Sequence, residues 1–119
     1  MLIKIVDDDQ AFVKKIKDIV YDNFKDIFLD YSIDCITSNF EDRYFEKGDI
    51  FFLDIDLKEI NGINIGKKLL VSEANPIIIF VSSRDDLVFS SLSVRPFYFV
   101  RKSYLKQDLE EMFILLKTY

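Results

Sequence analysis

Histidine is absent from this chain of 119 residues, cysteine occurs once, and only three glycines and two prolines punctuate it. The lack of histidine excludes zinc sites of the usual histidine-containing kinds, so any metal would be held by oxygen, which points to magnesium or calcium. A lone Cys35 cannot close an internal disulfide, and its setting, Ile33-Asp34-Cys35-Ile36, reads as a strand interior rather than a reactive, electropositive pocket. A reducing, cytoplasmic location is the corresponding expectation. No stretch approaches the ~20 apolar residues that span a bilayer. Met1-Leu2-Ile3-Lys4-Ile5-Val6 is too short for the core of a signal peptide and runs straight into acids, so no membrane partner is expected. The formal net charge of -5 makes the domain itself a poor binder of nucleic acid, which needs clustered Lys and Arg.

Apolar residues, by contrast, are plentiful. Half of the chain is hydrophobic and 15% is aromatic, which rules out disorder and argues for a packed core. The length predicts one domain over residues 1–119, burying roughly two thirds of the surface that the unfolded chain would expose. Its most telling stretch is Phe51-Phe52-Leu53-Asp54-Ile55-Asp56. So apolar a run fits a strand covered on both faces, and its first polar residue then emerges at the strand's carboxyl end, where open α/β sheets bind ligands. On this stretch alone Asp54 is either the reacting residue or merely the start of a loop.

Leu2 to Val6 reads as a strand that ends in Asp7-Asp8-Asp9. From Gln10 the period changes: Phe12, Ile16, Ile19 and Val20 fall on one helix face, Lys14, Lys15 and Asp18 face water, and Asp9 serves as N-cap. Three consecutive acids repel one another unless solvent or a cation offsets them, which gives Asp7 and Asp8 a metal-related role. Ser32 to Ile36 alternates like a half-exposed edge strand. The charged segment from Asn39 to Lys47 reads as a short helix, and Lys58-Glu59-Ile60-Asn61-Gly62 as a loop before a helix from Ile63 to Ser72. Gly66 inside that helix costs ~1 kcal/mol relative to alanine. Ile77 to Val81 is the most apolar strand and ends in Ser82-Ser83, a hydroxyl pair suited to capping a mildly amphipathic helix over Asp85 to Ser93. Arg95-Pro96 opens the strand Phe97 to Val100, which runs into Arg101-Lys102-Ser103. The last helix, from Tyr104 to Lys117, buries Leu105, Leu109, Met112, Phe113 and Leu116; Ile114 and Leu115 are either ordinary exposed residues or a partner face.

Five strands alternating with five helices predict a parallel sheet with helices on both faces. In such a sheet every strand's carboxyl end lies on one edge. Asp7 and Asp8, Asp54, Ser82 and Lys102 each follow or end a strand, so residues remote in sequence converge on one pocket.

With these residues in that order, the chain resembles, over essentially its whole length, the receiver domain of two-component response regulators. Ile5-Val6-Asp7-Asp8-Asp9 is similar to the family's acidic pair, Phe52-Leu53-Asp54 to its phospho-acceptor strand, Asn61-Gly62 to its loop glycine, Ser82-Ser83 to its hydroxyl-then-small pair, and Lys102 to its lysine. The resemblance implies a flavodoxin-like doubly wound (βα)5 sandwich with strand order 2-1-3-4-5. It also implies that Asp54 takes a phosphoryl group from a sensor histidine kinase, with magnesium held by Asp8 and Asp54 directly, by Asp7 through water and by the backbone carbonyl of Asp56. Lys102 and the Ser82 hydroxyl would meet the phosphoryl oxygens. Ser82 would couple to Phe99, biasing a face built from the fourth helix, fifth strand and fifth helix, through which a homodimer could form. Asp56 and Arg84 would tune hydrolysis of the acyl phosphate.

Departures accompany the match. Ser103 stands where the family usually has proline, often after a cis peptide, and Lys58 stands near where proline is common. The run Val94 to Ser103 resembles receivers attached to LytTR-type DNA-binding domains; no such domain is in this chain, so DNA would be reached, and transcription regulated, only through an absent output domain. Two rivals stay open. Leu53-Asp54-Ile55-Asp56 also resembles the Asp-x-Asp core of haloacid-dehalogenase-type phosphatases, with Asp54 as nucleophile and Asp56 as general acid. The other rival is a pseudo-receiver that binds partners without phosphorylation.

Overall fold

The computed structural model describes residues 1–26, 30–40 and 47–119. Its strands are β1 (Leu2–Val6), β2 (Ser32–Ile36), β3 (Ile50–Leu53), β4 (Ile77–Ser82) and β5 (Tyr98–Arg101), and its α-helices are α1 (Gln10–Phe24), α2 (Gly62–Leu70), α3 (Val88–Ser91) and α4 (Leu105–Lys117). All the strand pairings are parallel, in the order β2-β1-β3-β4-β5. This is the doubly wound, flavodoxin-like arrangement expected from the sequence. The expected helix from Asn39 to Lys47 falls largely on residues 41–46, outside the described residues.

Pleating explains how so apolar a sheet is covered on both sides. Successive side chains of a strand point to opposite faces. Ile3 and Ile5 of β1, Ile50 and Phe52 of β3, and Ile79 and Val81 of β4 join one core with Val13, Ile16, Val20 and Phe24 of α1 and Leu109, Met112 and Phe113 of α4. The alternate residues Val6, Phe51, Leu53, Ile78 and Phe80 join a second core with Ile63, Ile65 and Leu69 of α2 and with Val94. Each fully buried side chain of this kind contributes about 1.5–3 kcal/mol. Strand β2 lies at the sheet's edge, where Ser32 and Asp34 are exposed, and its alternating sequence reflects that position.

Helix α1 begins as the sequence predicts: the Asp9 side chain accepts from the backbone N–H of Ala11 at 3.0 Å and of Phe12 at 3.4 Å. Helix α2 starts one residue earlier than expected, capped by Asn61, whose Oδ1 accepts from Ile63 N–H at 2.8 Å. Gly66 is explained by packing, since a Cβ there would sit 2.7 Å from Val94 Cγ1.

The segment expected to be a helix over Asp85 to Ser93 is instead broken. A 3-10 turn at Asp85–Leu87 leads into the four residues of α3, and a second 3-10 turn spans Leu92–Val94. Its serines bond to nearby carbonyls, Ser91 Oγ to Val88 O at 2.6 Å and Ser93 Oγ to Ser90 O at 3.0 Å, a local competition with regular helix geometry. The cap expected from Ser83 is not made: Arg84 occupies the N-cap position with no side-chain bond. Arg95, in the left-handed region at φ 56°, then ends the segment before Pro96.

Candidate functional site

Strand parity puts the acids where they can meet. Asp7 follows β1 in phase with Ile3 and Ile5, and Asp54 follows β3 in phase with Ile50 and Phe52, so both continue the face covered by α1 and α4. Adjacent pairing, Val6 with Leu53, brings the two strand ends level, and Asp54 N–H donates to Val6 O at 2.9 Å. Asp7 is 2% and Asp54 4% exposed. One carboxylate oxygen from each of Asp7, Asp8 and Asp54 lies within 4.8 Å of the other two.

Lys102 closes the group from β5. It opens a single 3-10 turn, Lys102–Tyr104, between β5 and α4. Its Nζ lies 2.8 Å from Asp7 Oδ2 and 3.1 Å from Asp54 Oδ2, and its side chain is only 9% exposed. Burial works against its charge, but Asp7 and Asp54 outweigh burial and raise its pKa. For Asp7 the balance runs the other way. Burial, with a smaller push from Asp54, raises its pKa to about 6 against the lowering effects of Lys102 and of the Asp9 N–H, which donates to Asp7 Oδ1 at 2.9 Å.

The donor set fits a hard divalent cation. Asp7 and Asp54 share one ammonium, Asp8 is grouped with them, and buried Asp7 Oδ2 has no aligned hydrogen-bond donor although Lys102 Nζ is near. An all-oxygen, negatively charged cluster with an underused buried oxygen suits magnesium. Asp8 is half-buried, and its Oδ2 accepts from Lys58 N–H at 3.3 Å, which ties the loop after β3 to the first acidic turn.

The other expected residues occupy defined places. Ser82 is fully buried at the end of β4, and its Oγ accepts from Arg84 N–H at 3.1 Å, which leaves the hydroxyl hydrogen to donate elsewhere. Phe99 pairs in register with Phe80 across β4 and β5, its ring 6.3 Å from that of Phe80, in the second core. Ser82 and Phe99 therefore belong to the sheet face covered by α2, opposite to that of Asp7 and Asp54. Asp56 is exposed, its N–H 3.4 Å from Asp54 Oδ1, and it bridges to Asn61. Arg84 lines one groove with Asp56, Lys58 and Leu87, but its guanidinium pairs with Asp86 at 2.9 and 3.0 Å. That bond, first among the causes, raises the pKa of Arg84.

Gly62 is needed by the site itself: a Cβ there would overlap the backbone carbonyl of Asp54. The Lys102–Ser103 peptide is trans, so Ser103 enters the 3-10 turn without the cis isomer that a proline there tolerates. Two residues near the site escaped sequence reasoning. Phe12, expected only as core, has its ring centroid 4.5 Å from Lys102 Nζ. Asp108, inside α4, accepts from Arg101 N–H at 2.9 Å and from its guanidinium at 2.8 and 2.9 Å, fixing β5 to α4 just before Lys102. An acid flanked by Gln107 and Leu109 in a helix carries no signal that distinguishes it from a solvated one.

Comparison with known proteins agrees with this fold. The sensory transduction protein LytT of Bacillus anthracis is 27% identical over 119 residues, all of this chain but 47% of the relative, so the chain spans about half the length of that protein. The response regulatory domain of protein mrkE from Klebsiella pneumoniae superposes with a TM-score of 0.84 at 18% identity, covering 99% of this chain and 96% of that one. The receiver domain of a Pseudomonas aeruginosa sensor histidine kinase, described with a magnesium ion coordinated in its active site cleft, gives a TM-score of 0.76 at 14% identity over 99% and 98% of the two chains. At these identities the structures establish the fold. The sequence itself matches the description "Response regulator receiver domain" from residue 3 to residue 114, and on that match the chain belongs to the response regulator receiver family.

Proposed function

We propose that Asp54 is the phospho-acceptor of this receiver and takes its phosphoryl group from a phosphohistidine on a sensor histidine kinase in the cytoplasm. The observation that carries this reading is the position of Asp54: a buried carboxylate at a strand's carboxyl end, 3.1 Å from the Lys102 ammonium and grouped with Asp7 and Asp8. An Asp54 carboxylate oxygen attacks phosphorus in line as the P–N bond breaks, and the bond's electron pair returns to the imidazole ring of the donor. Lys102 meets the charge on the phosphoryl oxygens, and the Ser82 hydroxyl donates to one of them. Asp8, Asp54 and the Asp56 carbonyl would hold magnesium, with Asp7 reaching it through water. Bound there, the metal offsets the charge of the carboxylates and of the arriving phosphoryl group.

Ser82 and Phe99 share a sheet face, so a Ser82 drawn toward the phosphoryl group opens room for Phe99 and shifts the balance of the surface formed by residues 85–94, β5 and α4. Exposed Val88, Phe89 and Leu92 on that surface suit contact with a second receiver or an output domain, and the resemblance of the run Val94 to Ser103 to receivers attached to LytTR-type DNA-binding domains favours transcription as the regulated process. Asp56 and Arg84 line one groove, which supports the reading that they influence how water reaches the acyl phosphate.

Incubation with magnesium and phosphoramidate, followed by intact-mass measurement, tests the reading. One added phosphoryl group, absent in Asp54→Asn, is expected. Continuous turnover of a phosphomonoester that Asp56→Asn abolishes would favour a phosphatase instead, and no added mass in the unmutated protein would favour a phosphorylation-independent module.

A further inference from the structure

Lys102 presents three N–H donors and no acceptor, on a side chain that water barely reaches. Asp54 Oδ2 accepts from Nζ at 3.1 Å, and Asp7 Oδ2 stands 2.8 Å from it as a counter-charge. Another close neighbour is aromatic: the Phe12 ring, in the first turn of α1, has its centroid 4.5 Å from Nζ. An ammonium within about 6 Å of a ring face is attracted by the ring's quadrupole, more strongly when desolvated.

We propose that Phe12 is a positioning residue for phosphoryl transfer to Asp54, its ring holding the Lys102 ammonium at the site while that ammonium exchanges a carboxylate partner for a phosphoryl oxygen. The inference rests on the reading of Asp54 as phospho-acceptor. During the exchange a carboxylate competes with the arriving anion for the ammonium, because both are charged acceptors. A ring lowers the energy of the ammonium without that competition, and its attraction does not depend on which N–H faces it. Helix α1 holds the ring steady, since Val13, Ile16, Val20 and Phe24 anchor the helix in the core. A second ammonium, that of exposed Lys15, lies 5.3 Å from the same centroid, so the ring's effect must be separated from a path through Lys15.

Replacing Phe12 by mono-, di- and trifluorinated phenylalanine drains the ring's negative face while nearly preserving its shape, so a merely structural role would not follow the series. With magnesium and phosphoramidate, the rate of Asp54 phosphorylation should fall progressively, by roughly three- to ten-fold across the series. Phe12→Tyr should restore most of the rate that Phe12→Leu loses. Independently of any phosphorylation, NMR of the unmodified protein should show the Lys102 ε-methylene protons displaced upfield by the ring, with the displacement lost in Phe12→Leu. An undisplaced Lys102 signal overturns the proposal even if Asp54 never accepts a phosphoryl group. A flat fluorine series in a protein that does phosphorylate overturns the proposal but spares the phospho-acceptor reading. A slope that disappears in Lys15→Gln assigns the effect to Lys15 and overturns it as well.

Discussion

Asp7 is held in a buried position that its charge disfavours. Its pKa is raised to about 6, chiefly by burial, against an unfolded value of about 4. Between those values the folded chain binds more protons at this residue than the unfolded chain, so its contribution to stability is present at low pH and is lost as pH rises through about 6. Asp7→Asn should therefore stabilise the metal-free protein at neutral pH by about 1 kcal/mol and flatten this part of the pH profile, as read by urea unfolding at several pH values. The same variant should lose magnesium affinity, measured by titration calorimetry. A less stable Asp7→Asn protein would mean that Lys102 needs Asp7 more than the acids repel each other. The positions of Asp7, Asp8, Asp54 and Lys102, which the structure groups, were legible in the sequence because each is a polar residue at or just past the end of an apolar strand, and Ser82 was legible as the end of β4. Phe12 was not, since an aromatic at helical spacing looks the same whether it packs in a core or faces an ammonium.

Connections between elements decide how accurately those residues are held. Gly62 lets α2 start against the backbone of Asp54, and Gly66 admits Val94. Gly66→Ala would gain about 1 kcal/mol of helix propensity but must push Val94 aside, so a net loss of about 1–2 kcal/mol is expected in denaturant unfolding. Gly62→Ala should cost more and should also slow phosphorylation, because the obstructing atom is the backbone of the acceptor itself. At the junction of β5 and α4, the Arg101 bonds to buried Asp108 lower the Asp108 pKa in spite of burial. An acid whose pKa is lowered by folding stabilises above its unfolded value of about 4, and that share is lost as pH falls through the folded value. Asp108→Asn should thus cost about 1–3 kcal/mol at neutral pH and leave the variant less sensitive to acid over that range than the unmutated chain, a comparison that thermal melts at pH 3 and pH 7 would make. Strand periodicity read β1 to β5 nearly to the residue. The broken 85–94 segment was not legible, because serine bonds to local carbonyls compete with a helix that the apolar spacing alone would support.

At the scale of the whole molecule, a parallel sheet gathers what the chain disperses. Residues 7, 54 and 102 meet because three strands end on one edge, and that edge followed from the alternation of strand and helix before any side chain was located. The two sheet faces divide the work proposed here: Asp7, Asp54 and Lys102 act on the α1 and α4 side, while Ser82 and Phe99 lie toward α2. Phosphorylation on one side should then be felt on the other through Ser82 at the sheet's rim. NMR with magnesium alone and with magnesium plus beryllofluoride, a mimic of the bound phosphoryl group, tests that claim most directly. The account predicts beryllofluoride-dependent shifts at Asp54, Ser82, Phe99 and Lys102 that vanish in Asp54→Asn; an unmutated spectrum that does not respond would contradict it.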